Sequence, residues 1–127
     1  VTRIVDALNS LQKSVNGSRI LILGVAYKQD ISDVRESPAL DIIKLLQDKG
    51  AQVVYNDPHA PEVHLDPGQL RSVPLTDDLL AGSDCTVIVT NHSDYDYQRI
   101  VTKARIVVDT RNATRGMTAS RGKILKI

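Results

Sequence analysis

Three short stretches carry apolar side chains at almost every position: Ile20-Leu21-Ile22-Leu23, Cys85-Thr86-Val87-Ile88-Val89 and Ile106-Val107-Val108. A strand with one wet face alternates apolar and polar residues. A short run that does not alternate belongs to a strand buried on both faces, the situation of a parallel sheet with helices packed on each side. The intervening segments have the matching helical patterns. Ser37 offers a capping hydroxyl and Pro38 suits a first helical position; Ala39, Leu40, Ile42, Ile43, Leu45 and Leu46 then form a wide apolar face that Lys49-Gly50 closes.

The alternation continues. Gln52 to Tyr55 reads as a second strand, stopped by the turn residues Asn56-Asp57-Pro58. Residues 58–70, with three prolines, read as a long loop with room for one short turn of helix. Arg71 to Leu75 reads as a brief edge strand, because Pro74 lacks the N–H a central strand uses. Thr76 caps a short helix over Asp77 to Ala81, and Asp94 to Lys103 is a weaker helix before the last strand, Arg105 to Asp109. Ahead of all this, Ile4, Val5, Leu8, Leu11 and Val15 recur at helical spacing up to Asn16-Gly17.

Strands alternating with helices predict an α/β fold: a doubly wound parallel sheet with right-handed crossovers and strand order 3-2-1-4-5. The chain direction reverses between the first strand and Cys85–Thr90, and ligands of such sheets sit beyond the strand C-termini at that point. Gly24–Lys28, Thr90–His92 and Asp109–Arg111 converge there. At about 4.8 Å between neighbouring strands, the outer two segments lie about 10 Å apart, a span suited to a diphosphate.

Composition bounds the alternatives. With 127 residues the chain fits one core, and 42% apolar with 24% charged residues excludes disorder and a disulfide scaffold. No apolar run approaches the roughly 20 residues of a membrane span and no signal-type segment is present, so a cytoplasmic protein is expected, with no membrane partner. Cys85 has no disulfide partner, and it and the three histidines have no metal-ligand spacing. The net charge of +1 conceals an asymmetry: residues 1–98 hold 8 basic against 14 acidic side chains, residues 99–127 hold 8 against 1. Nucleic-acid binding by that basic quarter would fall steeply with salt, but without Phe or Trp and with four Tyr the chain has little to stack on bases. The chain opens on Val1 rather than Met, so a preceding segment is expected.

The chemistry-bearing residues are few. Gly24-Val25-Ala26-Tyr27-Lys28 has one glycine where a dinucleotide fingerprint needs three. An anion here would need side-chain charge, which Lys28, Arg35 and Arg111 supply; the plain alternative is that all three are solvated loop cations. Cys85 reads as an inert buried thiol, and His92 as either a ligand contact or a structural hydrogen bond. Asp30, Asp33 and Asp57 suggest the acid cluster of a phospho-receiver, but the slot after the first strand holds Val25-Ala26 instead of acids.

The run from Gly24 to Ala39, GVAYKQDISDVRESPA, resembles the opening motif of the C-terminal domain of the UDP-glucose/GDP-mannose dehydrogenase family. Asn56-Asp57-Pro58, Ser83-Asp84-Cys85 running to Thr90-Asn91-His92, and Val108-Asp109-Thr110-Arg111-Asn112 resemble its later motifs in order and spacing. The resemblance covers about residues 1–113. It implies a Rossmann-like, UDP-binding domain over residues 17–113, preceded by the end of an interdomain and dimer helix (residues 1–16); residues 114–127, beyond the resemblance, are basic and contain Gly, and read as a mobile tail. It further implies an NAD-dependent nucleotide-sugar 6-dehydrogenase that oxidises C6 of a UDP-hexose or UDP-N-acetylhexosamine twice, through a cysteine thiohemiacetal and thioester, as a homodimer. Carried over by motif position, Tyr27 and Lys28 contact the substrate nucleotide, Arg111 its phosphate or uridine end, and Arg35 approaches the NAD held by the N-terminal domain. The family's glycine fingerprint, catalytic cysteine and catalytic lysine have no counterpart here, so this chain alone is expected to bind nucleotide without turning it over. A stand-alone nucleotide-binding or interaction module of the same fold is the alternative.

Overall fold

The structure is a computed structural model that describes residues 9, 14–26, 37–65, 68–117 and 123–126. Its centre is a five-stranded sheet in which every pairing is parallel. The strands are β1 (Arg19–Leu23), β2 (Gln52–Asn56), β5 (Cys85–Ile88), β6 (Val107–Asp109) and β7 (Ile124–Lys126), in the order β2-β1-β5-β6-β7. Helix α1 (Pro38–Asp48) lies between β1 and β2, α2 (Asp77–Gly82) precedes β5, and α3 (Tyr97–Lys103) joins β5 to β6. A separate antiparallel hairpin, β3 (Glu62–Leu65) with β4 (Gly68–Arg71), follows β2.

The uninterrupted apolar runs have the two-sided burial that their pattern predicts. Ile20 and Ile22 of β1 join Val53, Tyr55, Cys85, Val87 and Val108 beneath Ala39, Ile43 and Leu46 of α1. Their neighbours Leu21 and Leu23 point the other way, joining Ile88 and Val107 beneath Leu80 of α2 and Ile100 of α3. Successive strand residues face opposite sides, so a central strand needs apolar groups at each position to fill both layers. Edge strand β2 has only one such face: Val53 and Tyr55 are buried, whereas Gln52 and Val54 are exposed.

The helix starts follow their capping residues. The Ser37 hydroxyl accepts from the Ala39 amide at 3.2 Å with Pro38 in the first turn, and Thr76 accepts from Leu79 at 3.1 Å. Asp96 caps α3 by accepting from Arg99, so that helix begins at Tyr97 and the preceding Asp94 belongs to a loop. No helix among the described residues is long and apolar enough to cross a membrane.

Three expectations change. The long loop over residues 58–70 contains a hairpin, whose Val63, Leu65 and Leu70 add to the core on the α1 side. The expected third strand over 71–75 is reduced to one parallel bridge between Tyr55 and Ser72, because β4 ends at Arg71 and pairs with β3 instead. The segment expected to be a mobile tail supplies β7, whose Ile124 and Leu125 pair with Val107 and Val108 and extend the sheet past β6. Three residues of marginal apolarity form a strand there because β6 offers an unpaired edge, and unpaired backbone groups are costly to bury. Apart from Asn9 and residues 14–16, the expected helix over residues 1–16 lies outside the described residues.

Candidate functional site at the sheet switch point

The reversal of chain direction falls between β1 and β5, and the loops after β1, β2, β5 and β6 meet beyond their C-terminal ends. Gly24 closes β1 with φ of +88°, and a Cβ there would lie 2.4 Å from Thr90 Cβ and 2.7 Å from the Thr90 carbonyl oxygen. Only glycine lets these two loops come so close. The contact is then tied: Gly24 N–H donates to Asn56 O at 3.0 Å, Val89 N–H to Leu23 O at 2.9 Å, and the Thr90 hydroxyl to Ala26 O at 2.7 Å.

Beneath this loop lies Asp57, whose carboxylate is fully buried. Its Oδ2 accepts from the successive amides of Val25 (2.8 Å) and Ala26 (3.1 Å), and its Oδ1 from the His59 amide at 2.8 Å. The fully buried His92 ring completes the set, with Nε2 at 2.9 Å from Oδ2. A carboxylate only accepts, so that ring nitrogen is the donor. The His59 ring stacks obliquely on His92 at 4.6 Å and its Nε2 lies 2.8 Å from Asp94 Oδ1. Tyr95 donates to Asn56 O at 2.7 Å; burial, reinforced by the charge of Asp57, holds its phenol pKa far above the ordinary value and keeps the proton in place.

The loop after β6 is organised by a second buried carboxylate. Asp109 Oδ1 accepts from the amides of Arg111 (3.0 Å) and Ala113 (3.1 Å), while Oδ2 accepts from the amide (2.9 Å) and hydroxyl (2.6 Å) of Thr114. Burial acts to raise its pKa, but the hydrogen bonds from Thr114, Arg111 and Ala113 together outweigh it and hold the group below 3.8. Arg111 leaves this turn with its Nε–H on Val89 O at 2.8 Å, which brings the guanidinium to the end of β5, next to the Gly24–Thr90 contact. Its terminal nitrogens meet no acceptor among the described residues, and the residue is exposed. A guanidinium anchored through one nitrogen, with two more to offer, is suited to a phosphate.

Of the residues singled out from sequence, Arg111 stands at the crevice mouth, while Tyr27, Lys28 and Arg35 lie outside the described residues. His92 has the structural role among the two considered for it. Cys85 is fully buried and its thiol is pushed up to about 12, first by burial and then by Asp84, so it is not a nucleophile. The sequence reading missed Asp57 and Asp109 as organising groups, although both sit in turn-forming runs, Asn56-Asp57-Pro58 and Asp109-Thr110-Arg111. A cleft of about 300 Å³ at the opposite end of β1 and β2, lined by Arg19, Gln52, Val54 and Asp78, takes no part in the crevice.

A nicotinamide dinucleotide bound in the usual way lays its phosphates on the amides after the first strand. Here the amides of Val25 and Ala26 are already taken by Asp57, and Gly24 is used against Thr90, so this loop does not fit that cofactor.

Residues 21–116 match the model of the UDP-glucose/GDP-mannose dehydrogenase family, UDP binding domain. The chain belongs to this family. UDP-N-acetyl-D-mannosamine dehydrogenase of Methanococcus maripaludis is 34% identical over 119 residues, covering 86% of this chain and 26% of the relative. UDP-glucose 6-dehydrogenase of Bacillus subtilis is 36% identical over 118 residues, again 86% of this chain and 25% of the relative. The chain thus spans about a quarter of the length of the curated relatives it matches. Among solved structures, a UDP-D-ManNAc dehydrogenase from Pyrococcus horikoshii shares the fold with a TM-score of 0.77 at 22% identity, over 98% of this chain and 28% of that one. Within the UDP-glucose/GDP-mannose dehydrogenase family, the part present here is thus the one whose description names UDP.

Proposed function

We propose that this chain is the UDP-holding wall of an NAD-dependent nucleotide-sugar 6-dehydrogenase, an enzyme that converts the C6 alcohol of a UDP-hexose or UDP-N-acetylhexosamine to the carboxylate. The observation that carries the reading is Arg111: an exposed side chain anchored on Val89 O, with terminal guanidinium nitrogens that meet no acceptor among the described residues, at the mouth of the switch-point crevice, in a domain of a UDP-binding family. In this reading Arg111 grips the phosphate or uridine end of the substrate, and Tyr27 and Lys28, entered directly from the tethered Val25-Ala26 pair, contact the nucleotide. These groups bind and orient; none of them exchanges a proton or hydride with C6. Arg35 approaches NAD, the hydride acceptor, from the substrate side, while the cofactor is held by a domain other than this one; the occupied amides of Val25 and Ala26 support this reading. The complete enzyme works in the cytoplasm as a homodimer.

Calorimetric titration of this chain with UDP tests the reading. Weak binding is expected, since one wall of a two-walled cleft leaves much of the ligand in water. Loss of one charge-assisted phosphate contact in Arg111→Ala should weaken it about tenfold. An unchanged affinity would remove Arg111 from the site, and steady NAD reduction with a UDP-sugar by this chain alone would refute the division of labour between domains.

A further inference from the structure

Two successive backbone amides aimed at one point form a concavity that binds anions, and after the first strand of a doubly wound sheet that anion is ordinarily a phosphate of the ligand. In this chain the point is filled from within. Asp57 Oδ2 lies 2.8 and 3.1 Å from the amides of Val25 and Ala26, and is steadied by His92 at 2.9 Å. The side chains of Asp57 and His92 are both fully buried, so no ligand reaches the amides past them. The two partners come from separate loops, after β2 and after β5, and the amide pair from a third.

We infer that Asp57 is a built-in anion, occupying the amide pair in place of a ligand phosphate, and that it acts as a positioning and specificity-determining residue. It fixes the path of the chain through Val25 and Ala26, the residues just before Tyr27 and Lys28 in sequence, and denies the loop to a dinucleotide, so that phosphate recognition falls to side-chain cations such as Arg111. The inference rests on the proposed function only in taking Tyr27 and Lys28 as nucleotide contacts. The filled amide pair itself does not depend on it.

Removal of the carboxylate should leave a vacancy that a small anion can refill. The thermal midpoint of Asp57→Ala is measured in chloride and, at equal ionic strength, in about 50 mM acetate or inorganic phosphate, beside the wild type. Acetate or phosphate is expected to raise the midpoint of the variant by about 4 °C or more, the shift that about 1 kcal/mol gives a domain of this size, with no such rise in the wild type. The same anions should also recover part of the variant's lost UDP affinity, which repacking of a merely structural hole would not do. An equal response of variant and wild type overturns the inference. If the alanine variant does not fold, Asp57→Asn decides: amide exchange of Val25 and Ala26 accelerated about tenfold or more, with β6 unchanged, supports the built-in anion, and unchanged protection refutes it. A wild-type chain that binds no UDP would refute the proposed function while leaving the anion response of the variant to test this inference on stability alone.

Discussion

Two buried aspartates organise the crevice, and they differ in reach. Among the described residues, Asp109 bonds only to its own turn, to groups two, four and five residues ahead. Asp57 reaches one amide in its own turn, but its other partners, Val25, Ala26 and His92, lie 31 to 35 residues away on two other loops. The first shapes a loop, whereas the second locks three loops to one another. A local turn can reform whenever its own segment is ordered. The Asp57 cluster exists only once β1, β2 and β5 are side by side, so its energy belongs to the assembled domain.

This contrast predicts unequal costs. Asp57→Ala strands several buried donors at once and should destabilise the chain by about 3–5 kcal/mol, measured by urea unfolding. A loss below about 1 kcal/mol would place the cluster on a par with an ordinary surface turn. Gly24→Ala should follow at about 2–4 kcal/mol, because the new Cβ meets Thr90 backbone as well as its side chain and sits at positive φ. Asp109→Ala should cost about 1–3 kcal/mol, since its loop lies nearer solvent and water can replace some of the bonds. The variant should also change the acid limb. The folded-state pKa of Asp109 is below its ordinary 3.8, so its contribution is complete above that value and is lost as pH falls through the lower folded one. Stability measured from pH 5 down to 2 should therefore decline less steeply in the variant. Thr114→Val, removing one hydroxyl donor to Asp109, should cost about 1 kcal/mol and leave Val25 and Ala26 protected.

The sheet was readable because its signal is local. Ile20–Leu23, Cys85–Val89 and Ile106–Val108 declare two-sided burial by lacking alternation, and Ser37-Pro38 and Thr76 mark helix starts within four residues, whereas α3 starts at Tyr97 behind the Asp96 cap rather than at Asp94. The hairpin of β3 and β4 was not readable, since three prolines within residues 58–70 read as a loop, and only the antiparallel pairing of Glu62–Leu65 with Gly68–Arg71 makes strands of these residues. Nor was β7, a strand that depends on a neighbouring edge more than on its own three residues.

The site divides in the same way. Sequence alone determined that the chain direction reverses between β1 and Cys85–Ile88, that the first loop there lacks the glycines a dinucleotide needs, and that Arg111 follows the strand beside that reversal. Each follows from residue order and strand pattern. Only the tertiary structure decided that Asp57 supplies the anion for the Val25 and Ala26 amides, that His92 serves it, and that Gly24 is spent on contact with Thr90. The physical reason is separation along the chain: a hydrogen bond acts over about 3 Å in space, and nothing in a linear sequence records which groups 30 residues apart will come within that distance.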